Sequence, residues 1–387
     1  ASYQPNLREI TDARVSAPFH YPPATGVTRE PPRPAWEGSP QEKSEELTRA
    51  LALGLFDYVR KTRSQGFVVS LSGGADSALV ACSVGMLARL ALAALGAEAL
   101  AARLPFLEAA DLASPAALTA RLLTTVYQAT AHSSETTRTA AREVAGAIGA
   151  RHLELDVEEL VQGYRARVEK ALGRKLGWES DDVALQNIQA RARAPGVWLI
   201  ANLERKLLLS TSNRSEAAVG YATMDGDTAG GLSPIAGVDK NFVRAYLRWL
   251  EAEGPAGLGP IAALALVNEQ APTAELRPAA AAQTDESDLM PYDVLDAIER
   301  AAIRDKRSPR DILTLLLADF PGHERALLVL WVRRFFRLFA QNQWKRERYA
   351  PSFHVDDESL DPKTWYRFPI LSGGFERELD GLDSPTG

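Results

Sequence analysis

The chain has 387 residues, 46% of them hydrophobic and 24% charged, with a formal net charge of −6. That supplies the core of one large globular domain or two to three smaller ones, and the acidic balance excludes a nucleic-acid or anionic-membrane surface built on bulk charge. The single cysteine, Cys82, excludes a disulfide framework and a cysteine-rich zinc site. No signal peptide is visible and no apolar run of about 18 residues lacks charge, so a soluble, cytoplasmic protein is expected.

Residues 1–40 are rich in proline and read as an extended arm or linker. The first residue is Ala1, which suits a processed chain or part of a longer polypeptide. Ser39-Pro40 predicts a helix start, and Leu47, Leu51, Leu55 and Val59 fall on one helical face. Phe67–Leu71 is an apolar run of strand type, Ser72-Gly73-Gly74 is a turn, and a helix begins at Asp76 or Ser77. Strand, glycine turn and helix in that order aim backbone N–H groups and a positive helix end at one point, which suits a phosphate. The two glycines let the backbone approach an anion without a Cβ in the way. A carboxylate such as Asp76 beside phosphates makes sense with a divalent cation between them. No lysine follows the glycines, so this is not a Walker loop. Taken alone, the stretch also reads as an ordinary strand-to-helix turn.

Cys82 falls on the helix after the turn and reads as a buried structural thiol. Residues 88–121 exceed what a crossover needs and predict an inserted helical segment, with a helix start at Ser114-Pro115. Leu122–Tyr127 is a second strand, Ser134–Ile148 a helix stopped by Gly149, and His152–Val157 a third strand. Helices are expected over 157–172 and over 182–204, the latter interrupted at Pro195-Gly196. Leu207–Ser210 is a fourth strand. Alternating strands and helices predict an α/β, doubly wound, mostly parallel sheet, with ligands outside the carboxyl ends of its strands. Helices follow at about 239–253, 260–267, 291–305, 309–318 and 323–342. The organisation expected is an arm over 1–40, a main domain over 41–350 and an irregular tail over 351–387.

The fourth strand runs into Ser210-Thr-Ser-Asn-Arg-Ser-Glu216, again strand, polar turn and helix. Thr211 would lie beside the first turn, and Glu216 could add a second carboxylate to a metal at Asp76. Glu216 reads equally well as part of a helix-capping box. Residues 221–234, dense in Gly, Asp and Thr, read as a functional loop or a plain surface loop. None of the five histidines makes metal-ligand spacing with another, so structural or surface roles are expected for them. The stripe Leu327, Leu328, Trp331, Val332, Phe335, Phe336 and Phe339 has helical spacing and reads as packing.

Ser72-Gly-Gly-Ala-Asp-Ser77 resembles the loop of the N-type ATP pyrophosphatases, which have the adenine nucleotide alpha-hydrolase-like fold. Behind it, in order, lie Gln186-Asn-Ile-Gln-Ala-Arg191, Ser210–Glu216, Gly226-Asp-Thr-Ala-Gly-Gly231, 271–278, Pro291–Asp296 and Lys345-Arg346. Together these are similar to the synthetase domain of NAD synthetases, particularly the glutamine-dependent bacterial type, over roughly 40–350. The resemblance implies an α/β domain with added C-terminal helices that amidates deamido-NAD to NAD, using ATP, Mg2+ and ammonia and releasing AMP and pyrophosphate. It implies that Ser72, Gly73, Gly74, Asp76, Ser77, Thr211, Lys240 and Thr273 bind ATP, and that Asp76 and Glu216 hold the metal. Asn187, Arg191, Glu216, Asp227 and Lys345 would hold deamido-NAD. Asp76, Glu216, Asp227 and Lys240 would be the catalytic set, with Asp227 taking a proton from incoming ammonium.

Met224 stands where ammonia-dependent relatives carry lysine, and Gly231 where they carry an acidic residue; both changes are shared with the glutamine-dependent type. A glutaminase domain with its catalytic cysteine has no place in this sequence. Ammonia is therefore expected to be free or supplied by an absent glutaminase domain or a partner. The resemblance also implies a homo-oligomer, a dimer or higher, with part of the 327–339 stripe facing a second subunit. Another amidotransferase with the same loop, or a non-catalytic ATP-binding module, are the alternative readings.

Overall fold

The structure is a computed structural model that describes residues 17–20, 33–270, 276, 286 and 289–383. The expectation for Thr273 falls outside the described residues. The described residues from Pro40 onward belong to one compact unit.

Four strands make one parallel sheet: β1 Phe67–Ser70, β2 Leu123–Ala129, β3 Arg151–Asp156 and β4 Leu207–Leu209, in the order β3-β2-β1-β4. Val69 pairs with Thr125 on one side and Leu209 on the other. The chain winds from β1 through β2 to β3, then returns to the opposite side of β1. Strand order thus reverses between β1 and β4, where a doubly wound sheet opens a crevice for ligands.

The helices that cover the sheet follow their apolar periodicity. α1 (Glu42–Thr62) buries Leu47, Leu51, Leu55 and Val59. It starts after Gln41 with no side-chain cap, so Ser39-Pro40 is not its start signal; packing of the apolar face fixes the helix more strongly than a local cap would. α2 begins at Ala75 and runs to Arg103, breaking helical geometry only at Gly96 (φ 72°). The segment expected as an insertion from residue 88 is thus largely a continuation of α2, followed by α3 (Pro115–Leu122) with Ser114 as its cap. α2 is long and apolar enough to span a membrane, but 61% of its most apolar window is buried, as in the central helix of a globular core. Cys82 lies inside it, and burial pushes its thiol up to about 12.

α4 (Glu135–Ile148) is capped by Ser134 and ended by Gly149, and α5 (Glu158–Leu172) follows β3. α6 (Trp178–Leu203) keeps Pro195 inside an unbroken helix and departs from helical geometry at Asp181 instead. The expected interruption at Pro195-Gly196 is absent because Val197 and Ala201 are held in a cluster with Val68, Val126 and Leu208 of the sheet. α7 (Arg214–Val219) is a six-residue helix after β4, and α8 (Lys240–Ala252) starts from its Asp239 cap. The opposite sheet face packs Phe67, Val69, Tyr127 and Leu209 against α1, α2, α4 and α8.

A second cluster joins α9 (Tyr292–Glu299), α10 (Pro309–Asp319) and α11 (Arg325–Gln341). Leu328, Trp331, Val332, Phe335, Phe336 and Phe339 are buried within it, so most of the stripe packs this cluster and leaves only its rim, such as Leu327 at 37% exposure, for a partner. α12 (Gln343–Arg346) follows, and Leu360, Phe368, Leu379 and Leu382 of the C-terminal segment complete the cluster.

Candidate functional site

A cavity of about 250 Å³ opens at the carboxyl ends of β1, β2 and β4. Ser72, Gly74, Asp76 and Ser77 line one wall, and Thr211, Glu216, Asp227 and Lys240 line the other. The fold therefore brings together two turns 137 residues apart in sequence.

The first turn holds itself closed. Ser77 Oγ accepts from Ser72 N at 3.2 Å and donates to Gly74 O at 3.1 Å, tying the strand end to the first helical turn. The two glycines serve different ends. Gly73 has φ +85°, and a Cβ there would sit 2.1 Å from the Thr137 carbonyl oxygen in the backbone of α4. Gly74 has φ −90°, and a Cβ there would meet only Ser72 Oγ at 3.5 Å. The fold requires glycine at 73; at 74 the added carbon would reach toward the cavity.

The second turn is a capping box: Asn213 Oδ1 accepts from Glu216 N at 2.9 Å, and Glu216 Oε2 accepts from Asn213 N at 3.4 Å. The same Asn213 donates through Nδ2 to Asp76 Oδ1 at 3.0 Å, coupling the two turns. Glu216 thus caps the helix through Oε2, while its Oε1 lies beside Lys240 in the cavity lining. Lys240 Nζ pairs with Asp76 Oδ2 and lies 3.4 Å from Glu216 Oε1. Two carboxylates at the ends of different strands converge on one cation position.

That arrangement fits a hard divalent cation. Magnesium commonly takes one or two protein carboxylates and completes its shell with phosphate oxygens and water. Among the described residues no group of three His, Cys, Asp or Glu has metal-binding geometry, so a cation here would depend on a phosphorylated ligand for the rest of its shell.

The remaining expected residues surround the 221–231 loop. Asn187 Oδ1 accepts from Thr223 Oγ1 at 2.8 Å, and Arg191 Nε donates to Met224 O at 2.9 Å. Lys345 Nζ donates to Gly220 O at 2.7 Å and Ala222 O at 3.1 Å. Burial holds the Lys345 ammonium below its usual range, with Asp227 partly opposing. Asp227 Oδ1 accepts from Thr223 N at 2.8 Å. Enclosure by the cavity wall pushes its carboxyl up to about 6, though its side chain still faces solvent in the cavity, which limits the effect. Arg191 lines a second concavity of about 460 Å³ with Tyr164, Trp198, Met224 and Arg348. Asn187 and Lys345 anchor the loop from behind and do not line the main cavity.

Sequence reasoning did not single out Arg193, Arg244 or Arg248, which also line the cavity. Arg244 and Arg248 follow Lys240 at intervals of four on α8, so all three lie on one helix face. That spacing was readable once Lys240 had been placed.

Residues 47–347 match the profile of the NAD synthase family. The chain is 35% identical over 320 residues to the glutamine-dependent NAD(+) synthetase of Rhodobacter capsulatus, covering 81% of this chain and 49% of that protein. It is 35% identical over 340 residues to the enzyme of the same name from Aquifex aeolicus, covering 88% and 50%. The crystal structure of a glutamine-dependent NAD(+) synthetase from Cytophaga hutchinsonii superposes with a TM-score of 0.79 at 46% identity, covering 88% of this chain and 56% of that one. The chain spans about half the length of the curated relatives it matches. With a profile match over most of its length and relatives at this identity, the chain belongs to the NAD synthase family.

Proposed function

We propose that this chain catalyses the ATP-dependent amidation of deamido-NAD to NAD. The nitrogen donor is ammonia, free or released from glutamine by a glutaminase domain or partner. The nicotinate carboxylate attacks the α-phosphorus of ATP, expelling pyrophosphate and forming an acyl-adenylate. Ammonia then attacks the acyl carbon, AMP leaves, and the nitrogen loses a proton.

The observation that carries this reading is the convergence of Asp76, Glu216 and Lys240 beside the Ser72-Gly73-Gly74 turn, in a chain of this family. Ser72, Gly73, Gly74 and Ser77 cradle the phosphates, with Thr211 beside them and Thr273 on the same ligand. Asp76 and Glu216 would hold Mg2+, which would supply charge neutralisation to the departing pyrophosphate. Lys240 would contribute positive charge to the phosphates. Asn187, Arg191 and Lys345 position the loop and the dinucleotide, and the fork of Arg191 suits a phosphate or carboxylate. Asp227, which lines the cavity, receives the proton of the incoming ammonium. The loop excludes water from the acyl-adenylate.

A homo-oligomer is part of the same proposal. Leu160, Tyr164, Val168 and Leu172 recur every four residues on α5 and are all exposed, as are Leu199 and Leu203 on α6. An apolar stripe of this kind fits a second copy of the chain. Sedimentation velocity showing a monomer at micromolar concentration would reject that part.

The decisive experiment is AMP release from ATP, Mg2+ and deamido-NAD, with ammonium in one reaction and glutamine in another. NAD formed with ammonium supports the proposal. AMP released only with a different carboxylate substrate assigns the chain to another amidotransferase, and no AMP under any condition leaves a binding module.

A further inference from the structure

α7 carries Glu216 yet has only six residues, too few for a helix to hold itself in water. Its stability is supplied by a segment more than 120 residues later. Asn342 Nδ2 donates to Val219 O at 2.9 Å, and Arg346 Nη1 donates to Ala217 O at 3.2 Å and Ala218 O at 2.8 Å. With Lys345 on Gly220 O, the C-terminal carbonyls of α7 are satisfied by side chains of one later turn, two of them cationic. The approach is close: Gly220 has φ +68°, and a Cβ there would lie 2.4 Å from Asn342 Cβ.

The same segment continues to the other end of α7. The Tyr349 hydroxyl is 3.0 Å from Ser212 Oγ, which donates to Glu216 Oε2 at 3.2 Å. The Ser233 N–H donates to Pro351 O, pairing the strap with the segment that bridges to β4 through Leu232. Asp356 and Glu358 then reach the buried guanidinium of Arg214, at 2.7 and 2.9 Å. Arg214 also pairs with Glu299 of α9 at 2.6 Å and with Asp239, the cap of the helix that begins with Lys240, at 3.2 Å. Burial opposes the charge on this guanidinium, and Glu299, Asp356 and Glu358 outweigh that effect.

We propose that residues 342–358 are a strap that positions Glu216, with Tyr349 and Glu358 as positioning residues at the N-terminal end of α7. Lys240 is drawn into the same arrangement through Asp239. The cation affinity of the site therefore depends on Tyr349 and Glu358, which act through Ser212 and Arg214 and not on the cation itself. This rests on the reading of Glu216 as a cation-holding carboxylate.

The test uses the full chain and the shape-keeping variants Tyr349→Phe, which removes the hydroxyl on Ser212, and Glu358→Gln, which removes the charge on Arg214. Hydrogen exchange is followed in the peptide covering 213–221, and Mn2+ binding is titrated by electron paramagnetic resonance with a non-hydrolysable ATP analogue present. Glu216→Gln serves as the reference. Exchange in 213–221 should speed by about tenfold, the consequence of losing one charged or buried hydrogen bond, while β1 and β2 keep their protection. Mn2+ affinity should fall by a similar factor. Unchanged exchange in both variants overturns the strap. Unchanged Mn2+ affinity in both strap variants, when Glu216→Gln binds weakly, overturns the positioning role. Unchanged affinity in Glu216→Gln itself overturns the cation-site reading instead.

Discussion

Gly73 and Gly74 look equivalent in sequence, and the structure predicts different outcomes for alanine at each. In Gly73→Ala the new Cβ would lie 2.1 Å from Thr137 O, 2.8 Å from its carbonyl carbon and 2.9 Å from its Cα. All three are backbone atoms of a helix, so no side chain can swing aside. Reaching an ordinary contact requires a shift of about 1 Å, and the left-handed conformation at φ +85° adds about 1–3 kcal/mol of strain for a residue with a side chain. A displacement of about 1 Å at a reacting centre costs about 100-fold in rate. Gly73→Ala should therefore lower the urea midpoint and cut AMP release by about 100-fold together. Gly74→Ala meets no backbone and needs no unusual φ, so its urea midpoint should match the parent. Its Cβ instead crowds a phosphate backed against the turn, and KM for ATP should rise about tenfold. Urea denaturation and an AMP-release assay on both variants decide the matter. A Gly73→Ala protein with parental stability and rate would refute the steric argument. A Gly74→Ala protein with parental KM would refute the placement of phosphate at this turn.

The other predictions concern charge. Lys240→Met removes the ammonium that sits against Asp76 and Glu216, so Mn2+ should bind the nucleotide-free variant more tightly than the parent, while AMP release falls by about 100-fold for want of positive charge on the phosphates. Weaker Mn2+ binding in the variant would show that the ammonium does not occupy the cation position. Burial pushes the Asp296 carboxyl up to about 8, helped by Asp239 and Glu299, and pushes Glu299 up to about 7 against the pull of Arg214. Both folded-state values exceed those of the unfolded chain. The stability they contribute is full below about pH 4 and is lost as pH rises through about 7 to 8. Urea midpoints measured from pH 5 to pH 9 should fall over that range in the parent and fall less in Asp296→Asn; parallel curves would reject the assignment.

Much of the fold was readable from the sequence, because the signals were local and strong. The run Phe67–Leu71 followed by Ser72-Gly73-Gly74 placed the first turn, and the spacing of Leu47, Leu51, Leu55 and Val59 placed α1. Propensity failed where packing outweighs it. Pro195 and Gly196 do not break α6, because the helix is held against Val68 and Leu208 of the sheet. Ser39-Pro40 is a good local start, yet the helix begins after Gln41 without a side-chain cap. The 327–339 stripe reads as packing from its spacing, and the second cluster buries all of it but Leu327; spacing alone does not say which elements it packs against.

The sequence by itself determined which residue types stand at the ends of β1 and β4 and the order in which the motifs arrive, since each motif is a contiguous run whose chemistry depends on its own side chains. Only the tertiary structure decided which of these groups meet. Asn213 bridges to Asp76, Lys240 stands between two carboxylates, and Arg214 gathers Asp239, Glu299, Asp356 and Glu358. The difference between Gly73 and Gly74, and the dependence of a six-residue helix on a strap 120 residues away, belong to the same category. Such contacts are set by strand order and close packing, which bring distant segments within hydrogen-bond range and leave no trace in the local spacing of residues.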